Sequence, residues 1–291
     1  SERSCKMTAL IIGLGLIGGS VARSLKKNSD WRVSGYDKDL SVLHEAEHSG
    51  ALDGLWSEGT ESDADITVIC LPPSAAVSFL KNNVRFLKPG SVVTDVCGIK
   101  RWVVEQCDRI CRESGLKFIG GHPMAGKERS GFKNSDENLF NRASYILTPV
   151  NTTDEAALDA AKKLALALNV AKITVTTPEH HDRVIAFTSQ LPHIIAGAYV
   201  GSETCQMRHG FSAGSFKDVS RVATVDEHLW TELFMKNKEM LLPEIDCMIE
   251  KLKEYKNAIE SGDNETLCEI IKHGRVIKEN DLKETEREEK L

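Results

Sequence analysis

The chain has 291 residues, more than one small core needs, so one large or two medium domains are expected. Hydrophobic residues make up 41% and charged residues 27%, which excludes a disordered or low-complexity chain. A formal net charge of −6 argues against a broad nucleic-acid or anionic-membrane footprint, so an anionic ligand would need a local cationic pocket.

Residues 7–12 read as a buried strand, 13–18 as a tight turn and 19–28 as a helix whose last turn carries Lys26, Lys27 and Asn28. Residues 32–36 are a second strand, running into Asp37. An apolar run at 66–71 is stopped by Pro72-Pro73, and 91–96, 117–121 and 144–147 are further short strands with helical stretches among them. The last strand signal lies at 172–176. Near-continuous apolar strands alternating with helices predict an α/β domain, a doubly wound, mostly parallel sheet covered on both faces.

After Pro178 the spacing becomes helical to about residue 199, with Pro192 predicting a kink. A Gly/Ser-rich loop is expected over 201–216, then long helices over about 226–259 and 263–279, with a charged, solvated helix end beyond. This places the domain boundary near 177, with an all-α domain over 178–291. The first 22 residues, with Arg3, Lys6, an apolar stretch and Ser20-Val21-Ala22, imitate a signal peptide, but interrupting glycines fit a nucleotide loop better. No uninterrupted apolar run reaches the roughly 18 residues of a membrane span. The eight cysteines form no CxxC pair, and Cys107 and Cys111 sit at helical spacing with no histidine nearby; they read as reduced thiols, with no disulfide and no metal site.

Gly13-Leu14-Gly15-Leu16-Ile17-Gly18 follows a strand, opens a helix, and has Asp37 nineteen positions after Gly18 at the end of the next strand. That context makes GxGxxG a Rossmann-type dinucleotide fingerprint. Gly13 allows the turn, Gly15 admits the pyrophosphate, and Gly18 lets helix and strand pack closely. The amides of Leu16 and Ile17 meet phosphate charge. Asp37 can accept both ribose hydroxyls and would repel a 2′-phosphate, which favours NAD over NADP.

Gly120-Gly121-His122-Pro123-Met124-Ala125-Gly126 lies just past a strand, on the side of an open α/β sheet where ligands bind. A histidine there, between flexible glycines and a stiff proline, is placed for acid–base work. Ser189-Gln190-Leu191-Pro192-His193 puts a second histidine on the kinked helix, and Phe216-Lys217-Asp218-Val219-Ser220-Arg221 supplies two cations after the Gly/Ser-rich loop. His180 and His181 point about 100° apart on a helix, so they are no metal pair, and neither is expected to have a role.

The GLGLIGGS loop, the GGHPMAGKERSGF segment, the SQLPH helix and the GSFKDVSRVA segment, in this order, resemble the prephenate dehydrogenase family over essentially the whole chain. The resemblance implies a cytoplasmic two-domain subunit that dimerises through its helical domains, with His122 as the catalytic histidine and His193 and Arg221 as substrate-binding residues. Glu128, Lys217 and Trp230 match positions that line or gate the pocket, Lys217 in its own or a neighbouring subunit's site. It also implies the reaction, in which prephenate and NAD give 4-hydroxyphenylpyruvate, CO2 and NADH. Aromatisation supplies the driving force, so no metal is needed. Arg221 suits a substrate carboxylate through its planar fork of donors, and His193 or Lys217 suits the other. The family often has a serine where Gly98 stands, hydrogen-bonded to the catalytic histidine. Here a water, Cys97 or a backbone group is expected to orient His122. With no mutase segment ahead of the glycine loop and no regulatory module after the helices, a short, monofunctional form is expected. Arogenate as substrate, a β-hydroxyacid dehydrogenase of similar plan, and a nucleotide sensor without catalysis are the alternatives.

Overall fold

In the computed structural model, which describes residues 6–127 and 129–288, eight strands form one sheet. They are β1 (Thr8–Ile12), β2 (Arg32–Tyr36), β3 (Gly54–Leu55), β4 (Ile66–Ile69), β5 (Val92–Asp95), β6 (Lys117–Pro123), β7 (Ser144–Thr148) and β8 (Lys172–Val175). Their order is β3-β2-β1-β4-β5-β6-β7-β8, and every pairing is parallel except β6 with β7. The apolar runs that look two-sided in the sequence are so: β1 from Ala9 onward and all of β4 and β5 are buried. The two-residue β3 is too short to leave a pattern in the sequence.

Helices α1 (Leu16–Asn28), α2 (Leu40–His48), α3 (Pro73–Asn83), α4 (Arg101–Glu113) and α5 (Glu155–Ala167) cover this sheet. One apolar cluster gathers Val21 and Leu25 of α1 and Leu164 of α5 against Ile11 and Val33. The other gathers Val77 and Leu80 of α3 and Val103 and Cys107 of α4 against Leu10, Ile69 and Val93.

From Pro178 the chain is helical, in α6 (Pro178–Ile185), a wide π turn over Ala186–Gln190, and α7 (Leu191–Val200). Pro192 falls in the first turn of α7, where its missing N–H matters least. The expected Gly/Ser-rich loop is in part helical, with a 3-10 segment at Glu203–Met207 and α8 over Gly214–Ser220. The expected helix over 226–259 is two helices, α9 (Glu227–Lys236) and α10 (Lys238–Ser261), broken at Asn237. The break has a polar cause: the buried Asn237 side chain donates to the Asp182 carbonyl (3.0 Å) and to Gln190 Oε1 (2.8 Å).

By contacts the chain divides into two compact units, one ending at Lys238 and one starting at Glu239. The second unit is α10 and α11 (Asn264–Glu288), joined through Gly262 at φ +68°. There Asp263 N donates to Ala258 O (2.9 Å), a left-handed closure that glycine adopts without a Cβ penalty. No described helix is long and apolar enough to cross a membrane.

Candidate active site

The glycine loop lies between β1 and α1. Gly13 sits at φ +84°, and a Cβ there would stand 2.7 Å from the Cys70 carbonyl oxygen. A Cβ on Gly18 would overlap the Gly13 carbonyl oxygen at 1.8 Å, whereas one on Gly15 would meet nothing within 4 Å. The first and last glycines are therefore fixed by the protein's own packing, and the middle one borders open space. Gly15 is the N-cap of α1, with no side-chain cap, and the first turn holds no acidic residue. Amides at the start of α1, those of Leu16 and Ile17 included, thus carry helix-end positive charge with no capping side chain and no acidic residue in that turn. The cradle fits a dinucleotide pyrophosphate. Asp37 has a duty that sequence reasoning missed. Its Oδ2 accepts Leu14 N–H (2.7 Å) and its Oδ1 accepts Asp39 N–H (2.9 Å), so the same carboxylate holds the loop in shape.

His122 sits in β6, paired opposite Ile146 of β7. The two glycines before it are not there for flexibility. A Cβ on Gly120 would stand 2.4 Å from Thr148 Oγ1, and one on Gly121 would stand 2.8 Å from the Asp95 carbonyl oxygen and 2.9 Å from Tyr145 Oη. Close packing under the strand demands them. Below lies a wholly buried ion pair, Lys100 with Asp95, whose carboxylate also accepts Cys97 N–H (2.9 Å) and Gly121 N–H (3.2 Å).

His122 is held by a group other than Cys97 or the backbone, the two protein candidates expected. Its Nδ1 lies 2.8 Å from His181 Nε2, and His181 Nδ1 lies 2.7 Å from Asp182 Oδ1. Cys97 Sγ faces the Leu71 carbonyl instead. His181, expected to be without a role, is buried in α6, and Asp182 accepts Lys100 N–H (2.6 Å) and Arg101 N–H (2.8 Å) at the head of α4. Burial, the neighbouring His181 and the Lys100 charge, in that order, hold the His122 pKa well below the usual histidine value. Burial also lowers that of His181, against the upward pull of Asp182. Both rings are neutral at pH 7.

The remaining candidates gather on the helices of the first unit. His193 stacks on Trp230 with ring centroids 3.7 Å apart, and His193 Nδ1 donates to the Ser189 carbonyl (2.7 Å). That leaves His193 Nε2 for another partner. Its pKa is lowered by burial, with Ser189 opposing and the Arg221 charge adding to the fall. Arg221 therefore lies within electrostatic reach of His193. Arg221 and Lys217 are exposed at the end of α8. Trp230 and Leu233 lie three apart on α9, hence on one face. Leu233 approaches Gly98 beside His122, so a single helix spans both histidines. Glu232 accepts Ser74 N–H (2.7 Å) at the start of α3, and Lys236 lies over the Trp102 ring at 3.3 Å, fastening α9 to the sheet domain. Glu128 lies outside the described residues.

Comparison with known proteins supplies the reaction this arrangement serves. A family model for the prephenate dehydrogenase nucleotide-binding domain matches residues 21–175, and one for the prephenate dehydrogenase dimerization domain matches 177–273. Prephenate dehydrogenase of Lactococcus lactis is 32% identical over 280 residues, covering 93% of this chain and 76% of its own. Cyclohexadienyl dehydrogenase of Zymomonas mobilis is 33% identical over 277 residues, covering 91% and 92%. Among solved structures, prephenate dehydrogenase from Aquifex aeolicus in complex with hydroxyphenyl propionate and NAD+ superposes with a TM-score of 0.83. It is 28% identical and covers 96% of this chain and 99% of its own. With a nucleotide cradle, a half-buried neutral histidine and a cationic helix end in one compact unit, the chain belongs to the prephenate dehydrogenase family.

Proposed function

We propose that the chain carries out its family's reaction, NAD-dependent oxidative decarboxylation of prephenate to 4-hydroxyphenylpyruvate, with His122 as proton acceptor. The observation that carries this reading is a histidine at the carboxyl end of the sheet, its Nδ1 held by His181, in the same sheet as a glycine cradle that fits the dinucleotide. NAD, when bound, supplies the hydride acceptor. Gly13, Gly15 and Gly18 shape its pyrophosphate site, Leu16 and Ile17 offer amides to it, and Asp37 takes the ribose hydroxyls with the lone pairs its two amide bonds leave. As the C4–H bond of prephenate breaks, positive charge builds on the carbinol carbon. His122 relieves it by taking the hydroxyl proton on its free ring nitrogen. The C1 carboxylate leaves as CO2, and its bonding electrons complete the aromatic ring. Arg221 holds one carboxylate of the dianionic substrate and Lys217 the other, while His193, whose Nε2 is a bare acceptor once Nδ1 donates to Ser189, faces the substrate beside them. Trp230 fixes the His193 ring.

The domain boundary near 177, a cytoplasmic location and a homodimer through the helical region belong to the same reading. The name of the matched dimerization domain supports the dimer. So do Leu242, Ile249, Leu252, Ile259, Ile271 and Ile277, all exposed on α10 and α11 of the single chain. Light scattering returning the 32.1 kDa mass of one chain would refute it.

The test of the central claim is His122→Asn. It should lower kcat by about 10²–10⁴-fold with a smaller change in KM. The unaltered rate should rise with pH through a midpoint below the ordinary histidine value and be flat by pH 7, because the neutral ring is the active form and burial favours it. That rise should be absent from the variant. A variant with near-normal kcat and the same profile would place the proton acceptor elsewhere.

A further inference from the structure

We propose that Asp182 and His181 are positioning residues that fix the tautomer of His122, leaving His122 Nε2 bare to accept the substrate proton. This rests on the reading of His122 as the base and adds how it is kept ready.

Asp182 Oδ1 accepts Lys100 N–H at 2.6 Å and Oδ2 accepts Arg101 N–H at 2.8 Å, two donors that are backbone and cannot reverse. Asp182 is thereby an acceptor on both oxygens, and the 2.7 Å contact from Oδ1 to His181 Nδ1 needs its proton on the histidine. A neutral His181 with its proton on Nδ1 has only a lone pair on Nε2. The 2.8 Å contact between that atom and His122 Nδ1 then needs a proton on His122 Nδ1. The remaining nitrogen, His122 Nε2, is bare. Burial, which keeps both rings neutral, supports this chain.

The opposite side of the ring agrees. A Cβ on Gly98 would lie 3.9 Å from His122 Nε2 and the same distance from Leu233 Cδ1 and Cδ2. No side chain of residue 98 competes for the Nε2 lone pair, and the neighbour across the gap is apolar. The charged and titratable groups around the ring are His181 and Asp182 of α6, Lys100 at the head of α4, Asp95 of β5 and Cys97 after it. Lys100 is spent on Asp95, and the Cys97 thiol is pushed well above its usual range by burial, so neither protonates His122. When Nε2 takes a proton, Nδ1–H stays bonded to His181 Nε2, and the new charge faces Asp182 through one ring.

The discriminating variant is Asp182→Asn. The amide keeps the size of the carboxylate. With its oxygen kept on Arg101 N–H, its NH2 group stands in place of Oδ1, gives up the Lys100 N–H bond and donates to His181 Nδ1. The direction of the whole line reverses: His181 carries its proton on Nε2, and His122 carries its own on Nε2, where it cannot accept another. A wrong tautomer behind an intact ring costs about 10⁴-fold in the serine-protease triad. Here kcat should fall by about 10²–10⁴-fold with KM for prephenate changed by less than about 5-fold. Histidine 15N NMR of the full-length enzyme at pH 7.5, with and without NAD, reads the tautomer directly. The unaltered protein should show His122 protonated on Nδ1 and bare on Nε2, and Asp182→Asn the reverse. His181→Gln, whose oxygen can still accept from His122 Nδ1, should retain more of the rate than His181→Phe, which offers no acceptor.

A His122 proton on Nε2 in the unaltered enzyme overturns the proposal, even if Asp182→Asn fails to fold. So does an Asp182→Asn variant with unchanged kcat and unchanged tautomer. Failure of the parent reading looks different: His122→Asn would then keep its rate whatever the tautomer.

Discussion

Replacing Lys100 with methionine removes one charge from a pair in which both side chains have zero exposure, while keeping the side chain's length and apolar stem. Asp95 would keep its bonds to Cys97 N–H and Gly121 N–H but lose its only charged partner among the described residues. Stranding a buried charge in this way costs about 3–5 kcal/mol, far more than an exposed ion pair contributes. At about 2–4 °C per kcal/mol for a unit of this size, the Tm should drop by roughly 6–20 °C, read by calorimetry at pH 7.5. Asp95→Asn on top of Lys100→Met should recover part of the loss, because no charge is then left buried. A second readout concerns catalysis. Lys100 is one of the groups that lower the His122 pKa. Removing its positive charge makes the protonated ring less unfavourable, so the acid limb of the kcat profile should move to higher pH. A Tm within about 2 °C of the unaltered protein, together with an unmoved acid limb, would refute both the stability argument and the electrostatic one.

Arg221 should act on binding and not on the chemical step, since the carboxylate it holds is present throughout. Arg221→Ala should raise KM for prephenate by about 10–150-fold, the equivalent of ~1.5–3 kcal/mol for a charge-assisted bond, with kcat much less affected. A fall confined to kcat would remove Arg221 from substrate binding. Asp37→Ser should erode the preference for NAD over NADP in kcat/KM. It should also reduce thermal stability by about 1 kcal/mol or more, because Leu14 N–H loses its carboxylate partner. Equal use of both cofactors by the unaltered enzyme would refute the selectivity argument.

The strands and the nucleotide loop are legible in the sequence because their signals are local. An apolar run, a glycine spacing and an acid at the end of the next strand need no knowledge of tertiary contacts. His122 is legible for the same reason, from its place just past a strand. Its partner is not. His181 lies 59 residues away, beyond β7, α5 and β8, and metal-pair spacing is the wrong signal for a histidine whose neighbour in space is another histidine. Asn237 is hidden similarly: no glycine or proline marks the break between α9 and α10, and the cause is a pair of hydrogen bonds to α6 and the π turn. In α8 the difficulty is compositional, since Gly214 and Ser215 look like loop residues while forming the first turn of a helix.

The π turn at Ala186–Gln190 acts as a phase adjustment in an otherwise regular rod. His181 and His193 are twelve residues apart. At about 100° per residue, an unbroken α-helix would set them about 120° out of step. A π turn takes up one extra residue, so the same interval advances as about eleven residues, and the offset shrinks to about 20°. One face of a single rod can then present the histidine that steadies the base and, about three turns further on, the histidine that rests on Trp230. The spacing of the two ends of the pocket is thus written into the number of residues in that one turn. Straightening that turn to regular winding with all five residues kept would swing His193 by about 100° off Trp230, while every functional side chain remained in the sequence.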